Sequence, residues 1–222
     1  MRITHVTLGT RSLDEAALFY ESVLGLVVDR RPEAVIVHAG TTTVEFLERN
    51  EPGVHHLAFT IPSDQFDEAK SWLTAKTSLL VREGADEFEG PGLWNSRSVY
   101  FDGPDESILE LIARRDLENP SGRAYDSTGI LNVSEVGMAA DDVPALVEML
   151  RARASVPAYG EPGPTFAPVG DIEGLLIVVS PDRTWFPTGD RGAADRGITV
   201  RAMGGVAGDY AVGSQGLLII EG

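Results

Sequence analysis

Residues 53–59 read Gly53-Val54-His55-His56-Leu57-Ala58-Phe59, and residues 3–8 read Ile3-Thr4-His5-Val6-Thr7-Leu8. Each stretch sets a histidine at the start of an alternating apolar strand. A polar turn and an amphipathic segment follow each one: LDEAALFYESVLG after the first, DQFDEAKSWLTAK after the second. A third copy of the plan runs LNVSEVGMAADD and then VPALVEMLRARA, with Glu135 where the others have His5 and His56. Leu13, Ala17, Phe19, Tyr20 and Leu24 fall at helical spacing, as do Phe66, Ala69, Trp72 and Leu73, and Val143, Leu146, Val147 and Leu150. Asp64, and Asp141 or Asp142, stand where N-caps are expected.

Three stretches of strand character follow each helix: LVVDRR, AVIVHAG and TTVEFLE; SLLVREG, SRSVYF and SILELIA; SVPAY, PTFAPV and GLLIVVS. A βαβββ unit is therefore used three times. The expected fold class is α+β, with repeated βαβββ modules forming cupped mixed sheets and helices on the convex face. The turn-rich stretch 116–129 reads as a link. It separates paired modules over residues 1–115 from a third module plus C-terminal strands over residues 130–222. Beyond Arg183 a loop rich in Gly, Asp and Arg leads to ITVRAM and GLLIIEG. These two strands make either a helix-less partial fourth unit or an added edge hairpin. An odd module needs a partner, which is either those strands or a second subunit in a homodimer.

Composition narrows the function. The 222 residues are 43% hydrophobic, enough for a sizeable core in one or two domains. A net charge of −16 repels phosphate backbones, so neither nucleic acid nor an anionic membrane is an expected partner. There is no Cys, which excludes thiolate catalysis, thiolate metal sites and disulfides. The first residues run straight into a strand pattern, and no apolar run of membrane-spanning length occurs. A cytoplasmic protein is the default expectation.

Strand alternation then places the polar side chains. His5 shares a face with Ile3 and Thr7, and His56 shares one with Ala58 and Thr60. Glu45 lies opposite Val44 and Phe46, and Glu110 lies opposite Leu109 and Leu111. Four strands thus each carry one metal-capable residue on the face away from the helices: His5, Glu45, His56 and Glu110. An unpaired carboxylate among apolar neighbours is costly, and a cation removes that cost. Two imidazoles and two carboxylates make a hard nitrogen and oxygen site suited to Fe, Mn, Ni, Co or Zn. By the same register His55 points the opposite way from His56.

The stretches THVTL, FYESVLGL, HHLAF and SVYFDGPDESILEL together resemble the vicinal oxygen chelate superfamily, which includes glyoxalase I, extradiol dioxygenases and the fosfomycin and bleomycin resistance proteins. In the turn after SVYF, Glu106 stands where the family pattern has Gly. The resemblance implies a cupped sheet around a divalent metal, with ligands from the first and last strands of paired modules. Carried over, His5 and Glu45 are the ligands of module one, and His56 and Glu110 those of module two. Module three keeps Glu135 at the first-strand position but has Ile177 in place of the terminal Glu, so it is expected to be structural.

The resemblance implies a small-molecule substrate with vicinal oxygens, and three readings of the chemistry follow. An extradiol-type dioxygenase would use Fe or Mn with an acid or base drawn from His38, Tyr100 and Arg97. A glyoxalase-like lyase or isomerase, on Ni, Co or Zn, would use a Glu, such as Glu45 or Glu110, as general base. A metal-free, resistance-type binding protein would use the cup alone, walled by aromatics such as Trp72, Trp94 and Trp185. Fosfomycin-type thiol transfer fits less well, because that resemblance ends at module two. The dioxygenase reading is the one expected.

Overall fold

The computed structural model describes residues 1–194 and 196–222. Module one consists of β1 (Arg2–Thr10), α1 (Leu13–Ser22), β2 (Val27–Arg31), β3 (Ala34–Ala39) and β4 (Thr42–Glu48). Module two consists of β5 (His56–Thr60), α2 (Phe66–Thr74), β6 (Phe88–Gly90), β7 (Ser96–Asp102) and β8 (Ile108–Arg114). Module three has one strand fewer: β9 (Asn132–Ala139), α3 (Val143–Met149), β10 (Phe166–Asp171) and β11 (Gly174–Val179). The tail forms β12 (Thr199–Met203), β13 (Gly208–Val212) and β14 (Gly216–Glu221), a helix-less partial fourth unit. Two expected strands do not form. SLLVREG contributes isolated bridges from Leu79 to Phe101 and from Arg82 to Ala85, and SVPAY one from Ala158 to Val169. Among the described residues no helix is long and apolar enough to cross a membrane.

The caps explain where the helices begin. Ser12 accepts from the Glu15 amide at 3.2 Å, and Asp142 accepts from the Ala145 amide at 2.9 Å. Asp64 does not cap α2; its carboxylate accepts from the Ser121 amide and ties down the linker. In each helix the small and apolar positions read from the sequence face inward: Ala17 and Tyr20 in α1, Phe66, Ala69 and Leu73 in α2, Val143, Leu146 and Val147 in α3.

The chain forms two seven-stranded sheets, in the orders β13-β14-β12-β1-β4-β3-β2 and β10-β11-β9-β5-β8-β7-β6. They correspond strand for strand. In each, two parallel pairs (β1 with β4 and β12 with β14; β5 with β8 and β9 with β11) meet through a central antiparallel contact. Modules one and two therefore do not share a sheet, as the 1–115 grouping expects. Module one pairs with the C-terminal unit, and module two pairs with module three. The helix-side faces of both sheets merge into one apolar core that includes Leu8, Phe46, Leu57, Phe59, Leu109 and Leu218. The opposite faces of the two sheets turn away from that core.

A turn at residues 102–107 locks the sheets together. Asp105 accepts from the Thr10 hydroxyl at 2.6 Å and from the Arg11 amide at 3.1 Å. His55 points away from the cup, as its register requires, and its Nε2 meets the Gly9 carbonyl at 2.9 Å. Burial lowers the pKa of His55, so it stays neutral and donates that bond. The turn needs two successive left-handed residues, Asp105 (φ 56°) and Glu106 (φ 60°). Glu has no local side-chain bond to favour that conformation, which costs a β-carbon residue roughly 1 kcal/mol. Glu106→Gly should therefore raise the urea midpoint by an amount equivalent to about 0.5–1 kcal/mol.

Candidate metal centre

One ligand atom from each of His56, Glu110 and Glu135 lies within 4.8 Å of the other two, and all three residues are buried. His56 opens β5, Glu110 is at the middle of its parallel neighbour β8, and Glu135 is on β9 across the central antiparallel contact. His56 Nε2 is 3.7 Å from Glu110 Oε2 and 3.9 Å from Glu135 Oε2. The other ring nitrogen, Nδ1, lies 3.2 Å from the Ile108 carbonyl. Donating there leaves the Nε2 lone pair facing the carboxylates, the orientation a ligating imidazole takes.

Each carboxylate has its own support. Ser98 and Tyr100, the latter directly opposite on β7, stand beside Glu110. Glu135 pairs with Arg114, which is completely buried. The β5–β9 register slips between Ala58 and Phe59, and this irregularity lets Ser134 as well as Glu135 meet Arg114. The Arg114 guanidinium lies 5.1 Å from the centre of the Trp94 ring.

Two carboxylates face one buried arginine and one imidazole. Burial, and then repulsion from Glu135, push the Glu110 carboxyl up to about 7, against the opposing pull of His56. Burial alone would push His56 down, but the two carboxylates together outweigh it and raise its pKa. Burial, followed by the charges of Glu110 and Glu135, keeps the Tyr100 phenol protonated far into the alkaline range. A divalent cation would relieve the repulsion between the carboxylates. The donor set, one imidazole nitrogen and two carboxylate oxygens, fits such an ion.

These groups lie at the base of a cavity of about 490 Å³. Its walls are largely aromatic, from Phe88, Trp94, Tyr100, Phe166, Trp185 and Phe186. Trp185 comes from the strap joining module three to the C-terminal unit. Its indole stacks on His56 at 5.5 Å and donates to the Val54 carbonyl at 3.1 Å. A β-carbon on Gly137 would run into both the Trp185 ring and His56 Cβ. Glycine at 137 thus makes room for the imidazole and the indole together.

The equivalent face of the other sheet is different. His5 and Glu45 occupy the positions of His56 and Glu110 and lie 3.4 Å apart, bridged by Thr7, with about a quarter of each side chain exposed. Thr199 is paired with Thr7 as Glu135 is paired with Ala58, so the third carboxylate is missing. Arg201 is paired with His5 and brings a positive charge instead. The expected four-residue set is therefore split: His56 and Glu110 join Glu135, while His5 and Glu45 form a separate pair. His38 also belongs to that sheet, exposed and 3.0 Å from Asp29. Of the acid and base candidates, Tyr100 reaches the cavity, whereas Arg97 is held by Asp67 and Glu87.

Residues 2–111 match the model of the Glyoxalase/Bleomycin resistance protein/Dioxygenase superfamily. Those residues belong to this superfamily. Its fold is shared with a putative dioxygenase from Bacillus subtilis subsp. subtilis str. 168, at 19% identity over 91% of this chain and 70% of that one, TM-score 0.58. Glyoxalase I from Zea mays has the same fold at 13% identity, over 90% of this chain and 74% of that one, TM-score 0.54. Among curated proteins none matches the chain.

Glu135 was legible as a carboxylate in an apolar strand, the same signal that marks Glu45 and Glu110. Arg114 follows from alternation, since it shares a strand face with Glu110 and Ile112. Trp185 lies in a loop with no periodicity to announce it. His56→Ala and Glu135→Gln should each weaken Mn(II) binding in calorimetric titration by more than the roughly 10- to 100-fold typical of outer-shell changes. His5→Ala and Glu45→Gln should leave it unchanged.

The raised pKa values also predict a pH dependence. A carboxyl shifted from 4.5 to about 7 favours folding fully below its unfolded value, and that contribution is lost as pH rises through 7. His56, also raised, acts with the same sign. The metal-free protein should lose on the order of 2–3 kcal/mol between pH 5 and 8. Glu110→Gln should flatten that window in urea titrations.

Proposed function

We propose that this chain is a divalent-metal-dependent enzyme of the superfamily, acting as an extradiol-type ring-cleavage dioxygenase. The supporting observation is the His56, Glu110 and Glu135 cluster at the base of an aromatic cavity, beside a protonated Tyr100. Oxygen-rich donors favour Fe or Mn. Bound there, the ion would supply Lewis acidity to two adjacent substrate oxygens.

The chain's own residues do the rest. Phe88, Trp94, Phe166, Trp185 and Phe186 present flat apolar faces that orient a planar ring and exclude water. Tyr100, a cavity-lining phenol kept protonated by burial, would offer its hydroxyl proton to a substrate oxygen. Glu110 and Glu135, with His56, would hold the ion as carboxylates.

The two carboxylates crowded beside one imidazole support a second reading, a glyoxalase-like lyase or isomerase in which Glu110 leaves the ion and acts as general base. Elemental analysis of untagged protein, followed by oxygen uptake with a catechol panel, separates the readings. Near-stoichiometric Fe or Mn with catechol-dependent oxygen uptake supports the dioxygenase, and Tyr100→Phe should then lower kcat by about 100-fold or more. Ni, Co or Zn with turnover of hemithioacetals would replace it with the second reading.

A further inference from the structure

We propose that the ligand of this cavity carries a carboxylate, which Arg183 binds at the cavity mouth. The inference rests on the reading that the deep end of the cavity takes up two adjacent oxygens.

Arg183 is the basic side chain among the lining residues. Four neighbouring arginines are committed, Arg97 to Asp67 and Glu87, Arg115 to Glu89, Arg114 to Glu135 and Arg191 to Asp102, and Arg82, over Phe186, does not line the cavity. Arg183 has no carboxylate within ion-pair distance among the described residues, in a chain whose net charge is −16. Its guanidinium lies 5.2 Å from the centre of the Phe166 ring, itself a cavity wall, and its one side-chain hydrogen bond is a long 3.5 Å contact to Thr165. Stacking on an aromatic face leaves the edge of the guanidinium, with its paired donors, free for a carboxylate.

The backbone at Arg183 is held in place. Its amide donates to Ser180 at 3.0 Å, its carbonyl accepts from Ala193 at 2.9 Å, and Thr184 bridges to Gly192. Two residues on, Trp185 is clamped against His56. One strap therefore contributes to both ends of the cavity. The rim carboxylates do not cancel Arg183, because Glu87 is neutralised by Lys70 and Arg97, and Glu89 by Arg115. The cavity runs from a cation-seeking base through an aromatic sleeve to a free arginine. A planar ring with vicinal oxygens at one end and a monoanionic carboxylate at the other matches all three zones.

The test is anaerobic binding to the Mn(II)-loaded full chain, followed by tryptophan fluorescence, with three probes: catechol, 3-(3,4-dihydroxyphenyl)propanoate and the methyl ester of that acid. The acid and its ester differ in charge and little in shape. The wild type should bind the acid roughly five- to tenfold more tightly than the ester, a preference that weakens with added salt. Arg183→Gln should bind the two equally, and Arg183→Lys should recover part of the preference. Arg82→Gln should leave the preference intact, since that guanidinium lies over Phe186 but does not line the cavity. Equal binding of acid and ester by the wild type, or a preference that persists in Arg183→Gln, would overturn the inference while leaving the chelation reading standing. Failure of catechol itself to bind would overturn both.

Discussion

Two carboxylates and an imidazole share a space that water barely reaches, and the surrounding architecture answers the energetic demand this creates. Buried charge is tolerated only when paired or bound to an ion. Arg114 meets part of the demand through Glu135, and Ser98 and Tyr100 meet another part through Glu110. What remains is the mutual repulsion that raises the Glu110 carboxyl to about 7. That residual charge imbalance makes this cup, rather than its twin, the place where a cation gains most.

The twin is informative because its backbone is nearly the same. Both sheets place a His and a Glu on adjacent parallel strands in the same register. The difference lies in the third strand and in the covering. Glu135 and Gly137 on β9 supply a carboxylate and a gap, whereas β12 has Thr199 and Arg201 at the matching places. The strap after β11 then lays Trp185 into the gap and closes the cup, while His5 and Glu45 stay in contact with solvent. One scaffold used twice thus yields an enclosed site on one sheet and an open polar pair on the other.

The repeats were plain in the sequence because strand and helix periodicities are local and each module writes them out. The cap at Asp142, the inward face of each helix and the outward turn of His55 follow from spacing of a few residues, whereas the cap expected at Asp64 is drawn off to the linker and α1 is capped by Ser12. The failed strands at SLLVREG and SVPAY have the composition of strands but no complete ladder to join, and β propensity is decided by the neighbouring strand.

By itself the sequence determined the module, the face on which each metal-capable residue stands, and the equivalence of His5 with His56 and of Glu45 with Glu110. Only the tertiary structure decided which equivalent residues become neighbours. Repetition fixes what each module looks like. Partner choice depends on how whole apolar faces combine across the chain, and no local pattern encodes it. Module two therefore meets Glu135 rather than His5, and a tryptophan from an irregular strap completes the site.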